Sequence, residues 1–200
     1  MAAESVVRAE LSELDALSQT LARSFHTAPL FRWLLAEQAE PETKLRVSMR
    51  ALLRVALARS DHRVDTIGDG TGVAIWFGAD CWRFTKRESV RLLPSAIETY
   101  GKRLPLAGKT STMIEAAHPT EPHRYLSYIG VDPARQGQGI GTDLLAAATA
   151  SCDRDGVAAY LENLDPRNAP LYERFGFEDR GPIPLPDGAP IVTAMWRDPS

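Results

Sequence analysis

The sequence predicts a single α/β (α+β) domain built on a sheet, and three observations carry that expectation. Segments of strand pattern and helix pattern alternate along the chain. Two segments, residues 62–67 and 72–77, read as a β-hairpin across Gly68-Asp69-Gly70. A glycine-rich turn over residues 136–141 joins a strand pattern to a helix pattern.

The elements follow in order. Residues 5–9 form a short candidate strand. Ser12-Glu13-Leu14-Asp15 has the form of a capping box, and Leu14, Leu17, Leu21 and Phe25 follow at helical spacing. Residues 26–35 read as a break rich in aromatics. Pro41 precedes a second amphipathic helix marked by Leu45, Met49, Leu52, Leu53 and Ala56. Residues 79–122 read as an insertion or lid within one domain spanning 1–200. In that segment 88–104 is helical but broken by Pro94, and 110–121 is a polar stretch. Beyond it come a strand at 125–131, ended by Asp132-Pro133, and a helix at 140–155 with Leu144, Leu145, Ala148 and Cys152 along one side. A strand at 157–162 is followed by a short helix at 168–175, with Asn168 as N-cap and Pro170 in the first turn. Gly176-Phe177 turns into a strand, and 191–196 supplies the last one.

Composition narrows the function classes. The chain has 200 residues, 44% of them hydrophobic, and a net charge of −3. Nucleic acid is not expected as the main partner, because phosphate binding needs clustered Lys and Arg. Cys81 and Cys152 lack metal-ligand spacing and read as buried fillers, so no metal site is expected. No stretch approaches the roughly 20 apolar residues of a membrane span, and residues 1–8 hold no signal-like apolar run. The expectation is a cytoplasmic protein without membrane contact. Monomer and homodimer both stay open.

The glycine turn, Gln136-Gly137-Gln138-Gly139-Ile140-Gly141, is where chemistry enters. Glycines let the backbone turn tightly and approach a ligand with no Cβ in the way. The N–H groups of such a turn and of the helix start then form an anion site suited to phosphate. A triphosphate loop needs Gly-Lys-Ser/Thr at its end, and Gly141-Thr142 carries no lysine. A dinucleotide loop needs Gly-x-Gly-x-x-Gly, which this is not, although Glu162 stands where a ribose-binding acid would. A pyrophosphate cradle for coenzyme A and a turn with no ligand complete the alternatives.

Gln136-x-x-Gly139-x-Gly141 resembles the acyl-CoA motif of the GNAT N-acetyltransferases, and Asn168-Ala169-Pro170-Leu171-Tyr172-Glu173-Arg174-Phe175-Gly176-Phe177 resembles that family's tyrosine segment. Tyr160-Leu161-Glu162-Asn163 continues the likeness. Over residues 123–180 the stretch looks most like the puromycin N-acetyltransferase group and its actinobacterial relatives, and Ala74-Ile75-Trp76 resembles the third strand of that group. The resemblance implies a mixed, twisted central sheet flanked by helices, with two parallel strands that splay apart, 125–131 and 157–162. It implies acetyl-CoA as co-substrate, its pantetheine arm against Ile129, Gly130 and Val131. Gln136, Gly137, Gln138, Gly139, Ile140, Gly141 and Thr142 would hold the diphosphate, with Asn168 and Tyr172 also at the cofactor.

The implied reaction is attack of an amine on a thioester, with a small-molecule amine as acceptor. A protein amine, or a non-catalytic acyl-CoA sensor, is the alternative. Tyr172 is the expected acid for the leaving thiolate, since a phenol of pKa about 10 stays protonated at neutral pH. Glu162, at a strand end beside the gap, is the expected base, with an ion pair to Arg167 or Arg174 as its other reading. His26 and His123 are alternative bases, though such histidines are more often surface residues. Trp76, His26 and Phe31 are the expected substrate wall, because aromatics suit an amine with an apolar body.

Overall fold

The computed structural model describes residues 5–79 and 81–200. Seven strands form one sheet in the order β1-β2-β3-β4-β5-β7-β6. They are β1 (Val6–Arg8), β2 (His62–Ile67), β3 (Gly72–Phe77), β4 (His123–Val131), β5 (Ala158–Asn163), β6 (Glu178–Pro182) and β7 (Thr193–Arg197). Every neighbouring pair is antiparallel except β4 and β5, which run parallel. The helices are α1 (Leu14–Phe25), α2 (Pro29–Leu34), α3 (Pro41–Ala58), α4 (Lys86–Tyr100), α5 (Leu104–Ala117), α6 (Ile140–Asp155) and α7 (Ala169–Glu173). Among the described residues no helix is long and apolar enough to cross a membrane.

Side-chain pattern decides which face each helix covers. Leu14, Leu17 and Leu21 of α1 and Leu45, Met49 and Leu53 of α3 pack with Val64, Val73, Ile75 and Phe77 of the sheet. Leu144, Leu145, Ala148 and Cys152 of α6 form a second cluster with Ala74, Trp76, Leu126, Ala159 and Leu161, the alternate residues of the strands. A third cluster joins Leu30 and Leu34 of α2 to Ala107 of α5 and to Ile183 and Val192 beside β6 and β7. Proline opens several of these helices: Pro29 and Pro41 stand first in α2 and α3, where a missing N–H costs nothing. Gly156, at φ +63°, ends α6 in the left-handed conformation.

Some local expectations change. Ser12-Glu13-Leu14-Asp15 is not the capping box; instead the Glu13 carboxylate accepts from the Glu10 N–H at 2.7 Å. The reason is that a short 3₁₀ turn over Leu11–Glu13 moves the helix start past Ser12. The aromatic break at 26–35 contains a helix, because burying Leu30, Phe31 and Leu34 together favours one. Pro94 does not break α4. It sits on the exposed side, where water can take the carbonyl it frees, and Thr99 ties the helix to α3 by donating to the Lys44 carbonyl at 2.9 Å. The polar stretch 110–121 is largely the second half of α5.

The feature that positions the site lies in β4. Its pairing with β3 shifts by one residue, so Tyr128 faces Ile75 while Leu126 faces Trp76, and Ser127 is extra. A bulge of this kind bends its strand. The parallel ladder with β5 runs from His123↔Ala158 to Leu126↔Leu161 and stops there, one residue before the bulge. Beyond that point β4 and β5 part.

Candidate active site

The parting of β4 and β5 opens a cleft of about 650 Å³, within the size range of ligand sites. Ser127, Ile129 and Val131 form its β4 side and Leu161 and Glu162 its β5 side. Backbone groups that a continuous ladder would have paired are left to face the gap. Gly130 does not line it. That glycine serves packing: a Cβ there would sit 3.1 Å from Leu21 Cδ2 and Ser24 Cβ, so its absence lets α1 lie close to the sheet.

At one end of the cleft stands the glycine turn. Asp132 fixes its entry, accepting from the Ala134 N–H at 2.9 Å and from Arg23 at 2.9 Å. Gly137 and Gly139 have φ of +77° and +89°, and a Cβ at either would meet nothing within 4 Å. The turn is therefore built on left-handed backbone and borders open space. The first N–H taken up by the helix is that of Asp143, which donates to the Gly139 carbonyl at 3.0 Å. Among the described residues, the N–H groups of Gly137 to Thr142 find no protein acceptor. Gln136, Gly137, Gly139, Ile140, Gly141 and Thr142 all line the cleft. Gln138 does not; its carbonyl oxygen accepts from Arg135 Nε at 2.8 Å. Arg135, Arg167 and Arg174 add a basic rim.

Tyr172 and Asn168 line the same cleft from α7 and the turn before it. The Asn168 side chain makes no capping bond to α7. Asp165 caps the preceding turn instead, accepting from the Arg167 N–H at 3.0 Å. Tyr172 is 7% exposed and packs edge-on to Phe177 at 6.1 Å. Burial, then the Asp165 carboxylate, push its phenol above the usual range, so it holds its proton.

Glu162 faces neither Arg167 nor Arg174. Arg167 donates to Asp165 at 2.6 Å. The Glu162 side chain is 5% exposed and its nearest ionisable partner is His118, with Nδ1 at 3.4 Å from Oε1. Tyr125 and Tyr160, opposite each other in the parallel register, share its surroundings. Burial and the Glu162 carboxylate push both phenols up. His118 was hidden in a polar stretch and carries no motif; Tyr125 and Tyr160 needed the register of two strands far apart in sequence. The alternation of Tyr160 and Glu162 on one strand face was the legible part.

The expected substrate wall is placed differently. Trp76 is 4% exposed, in the cluster against α6, because its strand position points it away from the α1 face. Phe31 is equally buried, and it packs behind Phe25 and Tyr128, at 5.9 and 6.4 Å. Phe25 and Tyr128 line the cleft themselves, with Thr27, Ala28 and Leu164. His26 is not among the lining residues: its ring caps the end of α1 against the Ala22 and Arg23 carbonyls, at 3.2 and 3.1 Å. His123 is 2% exposed rather than at the surface.

Comparison with known proteins agrees with this fold. Residues 107–179 match the model of the acetyltransferase (GNAT) domain. An uncharacterised N-acetyltransferase of Schizosaccharomyces pombe is 30% identical over 122 residues, 56% of this chain and 49% of that protein. The chain thus spans about half the length of the curated relatives it matches. A solved structure from Corynebacterium glutamicum, described as histone acetyltransferase HPA2 and related acetyltransferase, is 27% identical with a TM-score of 0.74 over 98% of this chain and 97% of that one. The PaiA N-acetyltransferase of Thermoplasma acidophilum, solved with coenzyme A, has a TM-score of 0.59 at 13% identity, covering 98% of this chain and 99% of that one, which speaks to the fold. The described chain therefore has the fold of the GNAT acetyltransferases, and residues 107–179 match that family's domain model.

Proposed function

We propose that the chain is an N-acetyltransferase that moves an acetyl group from acetyl-CoA to the amine of a small molecule. The single observation that carries this reading is the cleft where β4 and β5 part, with unpaired turn N–H groups at one end and Glu162 and Tyr172 in its lining. The residues present suit acetyl-CoA. Open space beside Gly137 and Gly139 accepts a diphosphate, and the basic rim offsets its charge. The free edge of β4 at Ile129 suits an amide-bearing arm, while the Val131 carbonyl beyond it accepts from Gln136 Nε2 at 3.2 Å.

In this reading the lone pair of the neutral amine attacks the thioester carbon, and Glu162 takes the proton that the nitrogen sheds as the amide forms. A backbone N–H near Val131 faces the oxyanion, a contact worth roughly a hundredfold. As the C–S bond breaks, the Tyr172 phenol gives its proton to the leaving sulfur. Phe25 and Tyr128 form the apolar wall for the acceptor. The likeness of residues 123–180 to the puromycin N-acetyltransferase group makes aminonucleosides the first acceptors to try. A protein amine is the second reading, favoured by the description of the Corynebacterium structure.

The test is titration with acetyl-CoA, NADH and ATP side by side, followed by acetyl-CoA consumption with an amine panel and a peptide panel. Acetyl-CoA alone is expected to raise the melting temperature. Tyr172→Phe is expected to lower turnover roughly 10²-fold with binding intact. Binding without turnover in wild type would leave a sensor rather than an enzyme, and equal turnover in both forms would remove Tyr172 as the acid.

A further inference from the structure

Behind the proposed base lies a chain of contacts that the reaction as described does not use. His118 Nδ1 is 3.4 Å from Glu162 Oε1. His118 Nε2 is 2.9 Å from His123 Nε2, and His123 Nδ1 is 2.7 Å from the Glu121 carbonyl. Both rings are buried, at 8% and 2% exposed. Trp82 stacks on His118 with ring centroids 3.7 Å apart, and Tyr160 meets both rings edge-on.

Hydrogen counting constrains this chain. A carbonyl only accepts, so His123 Nδ1 carries a hydrogen. That leaves Nε2 of a neutral His123 as an acceptor, and His118 must then donate from its own Nε2. A neutral His118 therefore turns a bare Nδ1 toward the Glu162 carboxylate, acceptor against acceptor. Two neutral rings fill the two short contacts and leave the third without a hydrogen. The observed distances follow that order: the third contact is the longest, and among the described residues Glu162 Oε1 has no hydrogen-bond partner. One added proton completes the chain.

We propose that His118 and His123 are a proton sink for Glu162, acting as positioning residues through it. The inference rests on the reading of Glu162 as the base. An acceptor that arrives as an ammonium ion carries one proton more than the products can keep, since amine plus thioester gives amide plus thiol with none left over. Glu162 takes that proton, and its O–H then donates to His118 Nδ1. Transfer along the chain puts the hydrogen on His118 Nδ1, moves the Nε2 hydrogen to His123 and regenerates the carboxylate. The charge then lies on His123, held while the C–S bond breaks. It returns through Glu162 when the products leave and water re-enters. Tyr125 from β4, Tyr160 and Glu162 from β5, and Trp196 from β7 face the pair. So does Trp82, whose ring carries the Arg83 guanidinium at 4.5 Å. The segment before β4 thus supplies half of the sink.

The experiment compares His118→Gln, His123→Gln and Glu162→Gln with wild type across pH, on either side of the acceptor's own pKa. For both histidine variants kcat is expected to fall roughly 10²-fold where the amine is protonated and to approach wild type where it is neutral. The KM for acetyl-CoA should stay unchanged. An equal loss at every pH, or no loss, overturns the sink. A Glu162→Gln variant that keeps full activity removes the base reading instead, which separates the two failures. If either histidine variant fails to fold, ¹⁵N spectra of the wild-type imidazoles decide. Neutral rings with hydrogens on His123 Nδ1 and His118 Nε2 are expected; a hydrogen on His118 Nδ1 in the free protein overturns the proposal.

Discussion

A single missing side chain sets how closely α6 approaches the sheet. A Cβ on Gly72 would lie 2.4 Å from Ile140 Cγ2 and 3.2 Å from Leu144 Cδ1. Ile140 is the first residue of α6 and a lining residue of the cleft. Gly72→Ala is therefore expected to push the start of α6 away from the sheet, weakening the acetyl-CoA binding proposed above more than about tenfold and costing about 1–3 kcal/mol of stability. Calorimetric titration and thermal melts check both; an unchanged affinity would mean that the contact is relieved elsewhere. Sequence reading recognised the glycines of the 136–141 turn because their spacing forms a motif. It could not recognise the packing reasons for Gly72 or for Gly130, which it named only through the implied pantetheine contact, because those reasons are contacts with residues distant in the chain. The same holds for His118: its meaning comes from Glu162 and His123, which only the folded sheet brings to it.

Elements with strong periodicity or punctuation were legible. The hairpin β2–β3 and the helix α6 stand where alternation, Gly68-Asp69-Gly70 and the glycine turn put them. The short helix α2 was not, since its six residues owe their form to packing. Nor was the start of α4 at Lys86. There Thr85 and Glu88 form a capping box: Thr85 Oγ1 accepts from the Glu88 N–H at 3.3 Å, and Glu88 Oε2 from the Thr85 N–H at 2.7 Å. Glu88 also lies 3.4 Å from Arg59, so the cap anchors α4 to the end of α3. Thr85→Ala is expected to cost about 1 kcal/mol, read as a lower denaturation midpoint with an unchanged slope. A change confined to the slope would place the effect on the unfolded chain.

At the scale of the molecule, the far end of the sheet is pinned by one buried cation. Arg197 of β7 donates to both oxygens of Asp153 in α6, at 2.7 and 2.8 Å, and to the Phe175 carbonyl at 2.6 Å. The Arg197 guanidinium holds the Asp153 carboxyl well below the usual carboxylate range. Arg59 does the same for Asp61. A depressed native pKa contributes stability above the unfolded value, near 3.9, and loses it as pH falls through the native value. The melting temperature is therefore expected to drop as pH is lowered below about 5. Asp153→Asn should melt lower at neutral pH and depend less on acid; a variant as acid-sensitive as wild type would shift the weight to other carboxylates.

The extra residue in β4 has an arithmetic consequence. Side chains alternate along a strand, so adding or removing one residue ordinarily turns everything after it inside out. Ser127 escapes that rule because it occupies no place in the ladder with β3: Tyr125 and Tyr128, three apart, pack on the α1 face, while Leu126 and Ile129 pack toward α6. A chain of this architecture can thus gain or lose that single residue and toggle between a shut sheet and a slotted one without repainting either surface.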